Sequence, residues 1–250
     1  MRGTLLLVAL SVSWLSLSPA GASVNSGAAP GTLPRLMLWA WERPTDLRAL
    51  DQGVGVAFLA QTLILRNDAV RAEPRRNPLR VSAHTPLVAV TRIESGGGAA
   101  ALQAPQVAAM GAAIARTAAL PRVAGVQIDF DAAASEHEVY RALIHAVRRQ
   151  LPDAMPLSVT ALASWCAGDR WMHGLPIDEA VPMLFQIGPE HTPFAGIAAS
   201  PVAAAPECRG ALGTSLDEPL RVRAAGRRVY VFNAAAWTPA SVSRARAVLE

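Results

Sequence analysis

Beyond residue 35 the chain alternates between short apolar runs and stretches with helical periodicity. Eight runs have strand character: residues 36–42, 54–65, 86–94, 125–131, 156–165, 180–186, 211–217 and 228–233. Between several of them apolar residues recur at helical spacing. Val107, Met110, Ile114 and Ala118 form one such stripe. Val139, Leu143, Val147 and Leu151 form another, with Arg141, Arg148 and Arg149 on the opposite face. Near the end Thr238 reads as an N-cap, Pro239 as the first helical position, and 242–249 as a final helix. Strands alternating with helices predict a parallel sheet, and eight strands in one domain predict closure into a (β/α)8 TIM-type barrel. The crossovers after strands two and six are irregular. Residues 66–85 hold Arg, Pro and Asn and predict an extended loop or hairpin, while Pro189, Pro193, Pro201 and Pro206 break the second crossover. An open doubly wound sheet is the alternative, but Gly53-Val-Gly55 lacks the third glycine and the helix opening of a dinucleotide fingerprint.

The first residues carry a different pattern. Arg2, an apolar run over 5–17 and Ala20-Gly21-Ala22 together predict a cleavable signal peptide over 1–22. Residues 23–35, rich in Gly, Ala, Ser and Pro, predict a flexible linker, and 36–250 a single barrel domain. The apolar run is too short and too rich in Ser for a membrane span, so no stable membrane insertion is expected after cleavage. No Cys near the cleavage site suggests a lipid anchor. The expected location is the periplasm or the medium. There Cys166 and Cys208, an isolated pair, are expected to form a disulfide in preference to two free thiols.

Charge excludes several chemistries. The formal net charge is +4 and all 23 basic residues are Arg. Without Lys there is no Schiff-base nucleophile and no P-loop lysine. Arg66, Arg71, Arg75, Arg76 and Arg80 form a dense basic stretch. In an exported chain it reads as a solvated hairpin, and no nucleic-acid partner is expected.

The most informative segment is Gly125-Val-Gln-Ile-Asp-Phe-Asp131. A strand points Gln127, Asp129 and Asp131 to one face. Ser135 and Glu138 follow with the spacing of a capping box, which announces a helix. Two carboxylates in line at the C-terminal end of a buried strand occupy the usual site position of such a barrel. Burying them together raises one pKa at a cost in stability, so the pair calls for a functional explanation. Other strand ends add Trp39, Trp41 and Glu42, then Glu94, Trp165, Gln186, Asp217, Asn233 and Trp237. Aromatic faces among acids and amides suit a sugar, whose C–H faces stack while its hydroxyls bond. Taken singly, Trp39 or Trp165 reads better as core packing; the clustering of the set points to a site. No G-x-S-x-G, H-E-x-x-H or paired-Cys motif occurs, and His137 and His145 are expected to face solvent. Asp129 and Asp131 with Glu94 or Asp217 could hold a divalent cation, but nothing fixes the remaining ligands, so neither metal nor cofactor is assigned.

Several of these stretches resemble a known family. Leu38-Trp-Ala-Trp-Glu42, 54–62, Val126-Gln-Ile-Asp-Phe-Asp131, 157–166 and Asp178-Glu-Ala-Val-Pro-Met183 are similar to the DUF3142 family of exported bacterial proteins of unknown function. More distantly the chain resembles the chitinase-like glycosidase barrels of family 18. Asp129 and Asp131 match the two aspartates of that family's D-x-D-x-E strand. Leu157-Ser-Val-Thr160 matches its fifth strand, Met183 its sixth-strand Met, and Trp237 a sugar-floor tryptophan. Ala133 stands where the resemblance would put the catalytic Glu, and Phe185-Gln186 where it would put Tyr-Asp. The family's substrate-assisted hydrolysis is therefore not expected.

Two functions follow. One is a glycoside hydrolase acting on a polysaccharide or cell-wall glycan. Asp131 would then be general acid or nucleophile, tuned by Asp129, with a second carboxylate from Glu42, Glu94 or Asp217. The other is a non-catalytic glycan-binding barrel. Either uses Trp39, Trp41, Gln127, Trp165, Gln186, Asn233 and Trp237 toward the sugar. A third reading makes Asp129 and Asp131 a structural pair, with function elsewhere.

Overall fold

The first strand finds a parallel partner on each edge, and this closes the sheet. The computed structural model describes residues 33–66, 69–96, 101–168, 171–185, 194–218 and 224–249, so the predicted signal peptide and most of the linker lie outside the described residues. In chain order the strands are β1 (Leu36–Ala40), β2 (Thr45–Leu47), β3 (Val54–Arg66), β4 (Ala69–Pro74), β5 (Leu79–Val81) and β6 (Leu87–Glu94). They continue as β7 (Val123–Asp129), β8 (Leu157–Leu162), β9 (Glu179–Met183), β10 (Ala211–Ser215) and β11 (Arg228–Phe232). The α-helices among the described residues are α1 (Ala104–Arg116), α2 (His137–Arg148), α3 (Ala163–Ala167), α4 (Ala195–Ala199) and α5 (Pro239–Ala247). Strands β1, β3, β6, β7, β8, β9, β10 and β11 pair in that order, all parallel, and β11 returns to β1. This is the closed eight-stranded barrel with outer helices that the alternating pattern predicts.

The two apolar stripes become α1 and α2. Val107, Met110 and Ile114 are buried on α1, and Tyr140, Leu143, Ile144 and Val147 on α2. Thr238 caps α5, its Oγ1 accepting the Ser241 N–H at 3.2 Å. The helix after β7 starts otherwise than the Ser135–Glu138 spacing predicts. A 3-10 turn over Ala134–Glu136 comes first, and the buried Glu136 carboxylate accepts the Ala133 N–H at 2.9 Å. Glu136 reaches that N–H from the spacing at which a side chain folds back over one helical turn.

The irregular crossover after the second strand is a hairpin, as the sequence suggests. Strand β3 runs for 13 residues and its second half pairs antiparallel with β4. A β-bulge between Leu59 and Gln61 shifts the register against β6. Beyond it Gln61 turns outward, donating to Thr91 Oγ1 at 3.1 Å and to the Ala113 carbonyl on α1 at 2.9 Å. Thr62 thereby pairs with Arg92 and faces the barrel mouth. Arg75, in the basic stretch, is half-buried. It donates to the carbonyls of Ala40, Trp41, Arg43 and Asn77, so it ties the hairpin to the end of β1.

The barrel interior is filled in layers. Arg228 pairs with Glu179 near the N-terminal end, and the Tyr230 hydroxyl donates to the same carboxylate at 2.7 Å. Above them Trp39 lies across the axis, 3% exposed, with its ring centroid 5.2 Å from that of Tyr230. Its Nε1 donates to Gln127 Oε1 at 2.8 Å, and Gln127 Nε2 donates to Ser158 Oγ at 2.9 Å. Gly213 makes room for this ring: a Cβ there would lie 2.7 Å from Trp39 Cη2. Gly213→Ala is therefore expected to lower the unfolding free energy by about 1–3 kcal/mol through overpacking, read as a lower urea midpoint at unchanged slope.

Candidate functional site at the barrel mouth

Where the strands end above Trp39, a cleft of about 390 Å³ opens. Each wall comes from a strand end. Strand β1 is followed by Trp41, β6 supplies Arg92, β7 supplies Asp129 and is followed by Asp131, β8 ends in Leu162, and β11 ends in Phe232. Ala163 and Ser164 from the start of α3, with Met183, Phe185 and Phe194, complete it. The aromatic side is ordered: the rings of Phe185 and Phe232 stack at 5.6 Å, and Trp41 meets Phe232 edge-on at 6.4 Å.

The two aspartates have different environments. Asp129 is 3% exposed, and its carboxylate accepts Thr160 Oγ1 at 2.7 Å and Arg92 Nη1 at 3.2 Å. Burial raises its pKa above the usual carboxylate value; the Thr160 hydrogen bond and the Arg92 charge oppose this, and the Asp131 charge adds to it. Asp131, two residues on, is exposed in the cleft. Arg92 also bonds Glu94 at 3.3 Å, so one guanidinium links the buried acid to an acid on the rim.

The other candidates divide sharply. Trp39 and Gln127 are joined by their hydrogen bond in the core beneath the cleft, where a sugar does not reach them. Trp165 lies on α3, since β8 stops at Leu162, and it points outward against Tyr140 and Trp171 in the helix layer. His137 stacks on Trp171 at 4.3 Å and is not the solvent-facing residue expected, whereas His145 is exposed. Trp237 is buried, its Nε1 donating to the Trp39 carbonyl at 2.8 Å. Asn233 is buried and folds its own loop, donating to the Ala236 carbonyl at 3.2 Å. Asp217 is spent on the same loop, where its Oδ2 accepts the Ala234 N–H at 3.2 Å. Gln186 lies outside the described residues.

Glu42 and Glu94 line a neighbouring groove and not the cleft. Burial pulls the Glu42 carboxyl upward, but hydrogen bonds from the Asn77 side chain and the Asn77 and Arg76 N–H groups outweigh it and hold the group below the usual carboxylate range. Of the residues singled out in sequence as acids or sugar contacts, the structure thus brings Trp41, Asp129 and Asp131 together. It adds Arg92, Thr160, Phe185, Phe194 and Phe232. Arg92 and Thr160 were legible as polar residues in phase with inward-facing positions. Phe194 carried no such signal, because it precedes α4 in the broken crossover.

Cys166 and Cys208 form the expected disulfide, with a Cα–Cα separation of 5.9 Å. The bond fastens α3, whose first residues line the cleft, to the turn that leads into β10. Among the described residues no group of three or more His, Cys, Asp or Glu is placed to hold a metal ion.

Residues 83–197 match the DUF3142 family model, a domain of unknown function. The resemblance read from the sequence is thereby found again in the central part of the chain. The DUF3142 segment contains Arg92, Asp129, Asp131, Thr160, Phe185 and Phe194, while Trp41 and Phe232 come from strands outside it. Among solved structures, the chitinase domain of the spore coat protein CotE from Clostridium difficile is similar with a TM-score of 0.42 and 14% identity, over 67% of this chain and 53% of that one. The chain thus spans about half the length of that domain. No curated protein matches.

The raised pKa of Asp129 has a defined consequence for stability. A carboxyl that the fold holds protonated contributes most below its unfolded value of 3.8, and that contribution is lost as pH rises through the higher folded value. The stability of Asp129→Asn relative to wild type is expected to improve as pH rises above 3.8, measured by urea unfolding across the acid range. A difference independent of pH would show that Asp129 titrates alike in both states.

Proposed function

We propose that this protein is an exported, glycoside-hydrolase-like barrel that acts on a polysaccharide or cell-wall glycan, with Asp131 as general acid or nucleophile. The observation that carries this reading is an exposed acid in an aromatic-walled cleft, backed by a second, buried acid. Trp41 and Phe232 supply faces for a pyranose ring, and the carboxylate of Asp131 meets the glycosidic oxygen or anomeric carbon beside them. Asp129 works through its neighbours. Thr160 and Arg92 fix its carboxyl two residues before Asp131. The second carboxylate in this reading is Glu94, which lies across Arg92 from the cleft, whereas Glu42 and Asp217 accept backbone N–H groups. Arg92 between Asp129 and Glu94 positions that pair.

Export is supported by the disulfide, since such bonds persist in oxidising compartments. No described helix is long and apolar enough to cross a membrane.

A second reading, a glycan-binding barrel without turnover, is favoured by one observation. At position 133, where the family-18 resemblance would put the catalytic Glu, there is Ala, and the nearby Glu136 carboxylate is spent on the Ala133 N–H. Two variants separate the readings. Asp131→Asn is expected to cut release of reducing ends from a bacterial polysaccharide panel by about 10²–10⁴-fold while leaving affinity nearly intact. Trp41→Ala is expected to weaken affinity itself, by about tenfold for a lost stacking contact. Binding without turnover in wild type would leave the second reading; no binding of any glycan would overturn both.

A further inference from the structure

Beside the cleft lies a groove of about 460 Å³ that the reading above leaves without a role, apart from Glu94 on its rim. Trp41 and Arg92 wall both spaces, so the groove begins where the cleft ends. Its outer wall exists because β3 outruns the barrel and pairs with β4. The register sets Thr62 next to Arg92 on one side and Glu73 on the other, which puts the three side chains on one face of a small sheet standing above the mouth. The bulge before Gln61 is what turns Thr62 to this face.

The chemistry of this wall differs from that of the cleft. Glu73 bonds Arg71 at 2.6 Å and Arg76 at 3.5 Å, and Glu94 bonds Arg92 at 3.3 Å. The lining sets Glu42, Glu73 and Glu94 against Arg76 and Arg92, and Arg71 bonds Glu73 from just outside it, so the wall is dense in donors and acceptors with little excess charge. A repeating anion or cation would find as much repulsion as attraction there. A neutral unit rich in hydroxyls would find partners for both its O–H groups and its oxygens.

We infer that the groove is a second subsite, which takes the adjoining uncharged sugar unit of a chain whose first unit lies in the cleft, so that the glycan crosses over Trp41. The inference rests on the carbohydrate reading of the cleft and adds to it that the ligand is a neutral chain, held by the β3–β4 hairpin. Exposed ion pairs contribute little to stability, so their removal is expected to leave the fold intact.

The test is calorimetric titration of the full mature chain with linear β-1,4 oligomers of glucose and of N-acetylglucosamine, from disaccharide to hexasaccharide, with mannuronate oligomers as the charged comparison. For wild type the affinity for a neutral series is expected to rise about tenfold between disaccharide and tetrasaccharide. In the double variant Glu73→Ala with Arg76→Ala, and independently in Thr62→Trp, which fills the groove, that rise is expected to shrink below about twofold. An affinity independent of length, a rise that survives in both variants, or a preference for mannuronates would overturn the second subsite. Failure of every oligomer to bind wild type would instead overturn the carbohydrate reading beneath it, and the subsite with it.

Discussion

Closing eight parallel strands on themselves leaves an interior that must be filled, and here one indole spans it. Trp39 packs on Tyr230 and over Gly213, and its single N–H reaches Gln127, which passes the hydrogen bond on to Ser158. The arrangement satisfies the buried polar groups of three strands at once, β1, β7 and β8, and so fixes their relative height. Below this layer lie the Arg228–Glu179 pair and the Tyr230 hydroxyl bonded to it. Everything above it is open to the mouth. The floor of the cleft is therefore set by the same contact that closes the barrel.

Height along β7 then decides what each of its polar residues can do. Gln127 lies at the level of the plug and is wholly structural. Asp129, two residues higher, is still buried but touches the cleft, and it is held by a hydroxyl on β8 and a guanidinium on β6. Asp131, two residues higher again, is clear of the sheet and exposed. A period of two in sequence becomes a gradient of solvation in space. Arg92 shares this geometry on the neighbouring strand. It is half-exposed, and it joins the buried acid to Glu94 on the rim.

The order of strands, their boundaries within a few residues, and the placement of Asp129 and Asp131 were legible because period-two alternation and helical stripes are written locally. The hairpin after the second strand was legible by default, as a stretch without helical periodicity. What could not be read was orientation around each strand end. Trp39 and Trp41 differ by one pleat, and both point inward, but only the upper one clears the plug. Trp165 follows a strand that stops at Leu162, and three residues of helix carry it to the outer face. Asn233 and Asp217 sit where catalytic polar groups often sit, yet loop N–H and carbonyl groups that only the folded structure brings near claim them. The bulge in β3 was equally invisible, since one extra residue leaves no mark on composition while it reverses every side chain that follows.

The turn after β7 is held by an acid that does not line the cleft. The chain leaves Asp131, crosses Ala132 and Ala133, and enters a 3-10 turn whose first N–H groups have no partner within the turn itself. Glu136 satisfies that of Ala133 from within the turn. An acid placed at 133 would project from that same turn toward solvent at the mouth, whereas Glu136 is 1% exposed and points back into it. The carboxylate therefore holds the loop that presents Asp131 and does not itself face a substrate. Asp131 stands on the exposed side of the Arg92-linked acids, and the turn held by Glu136 follows it at Ala134.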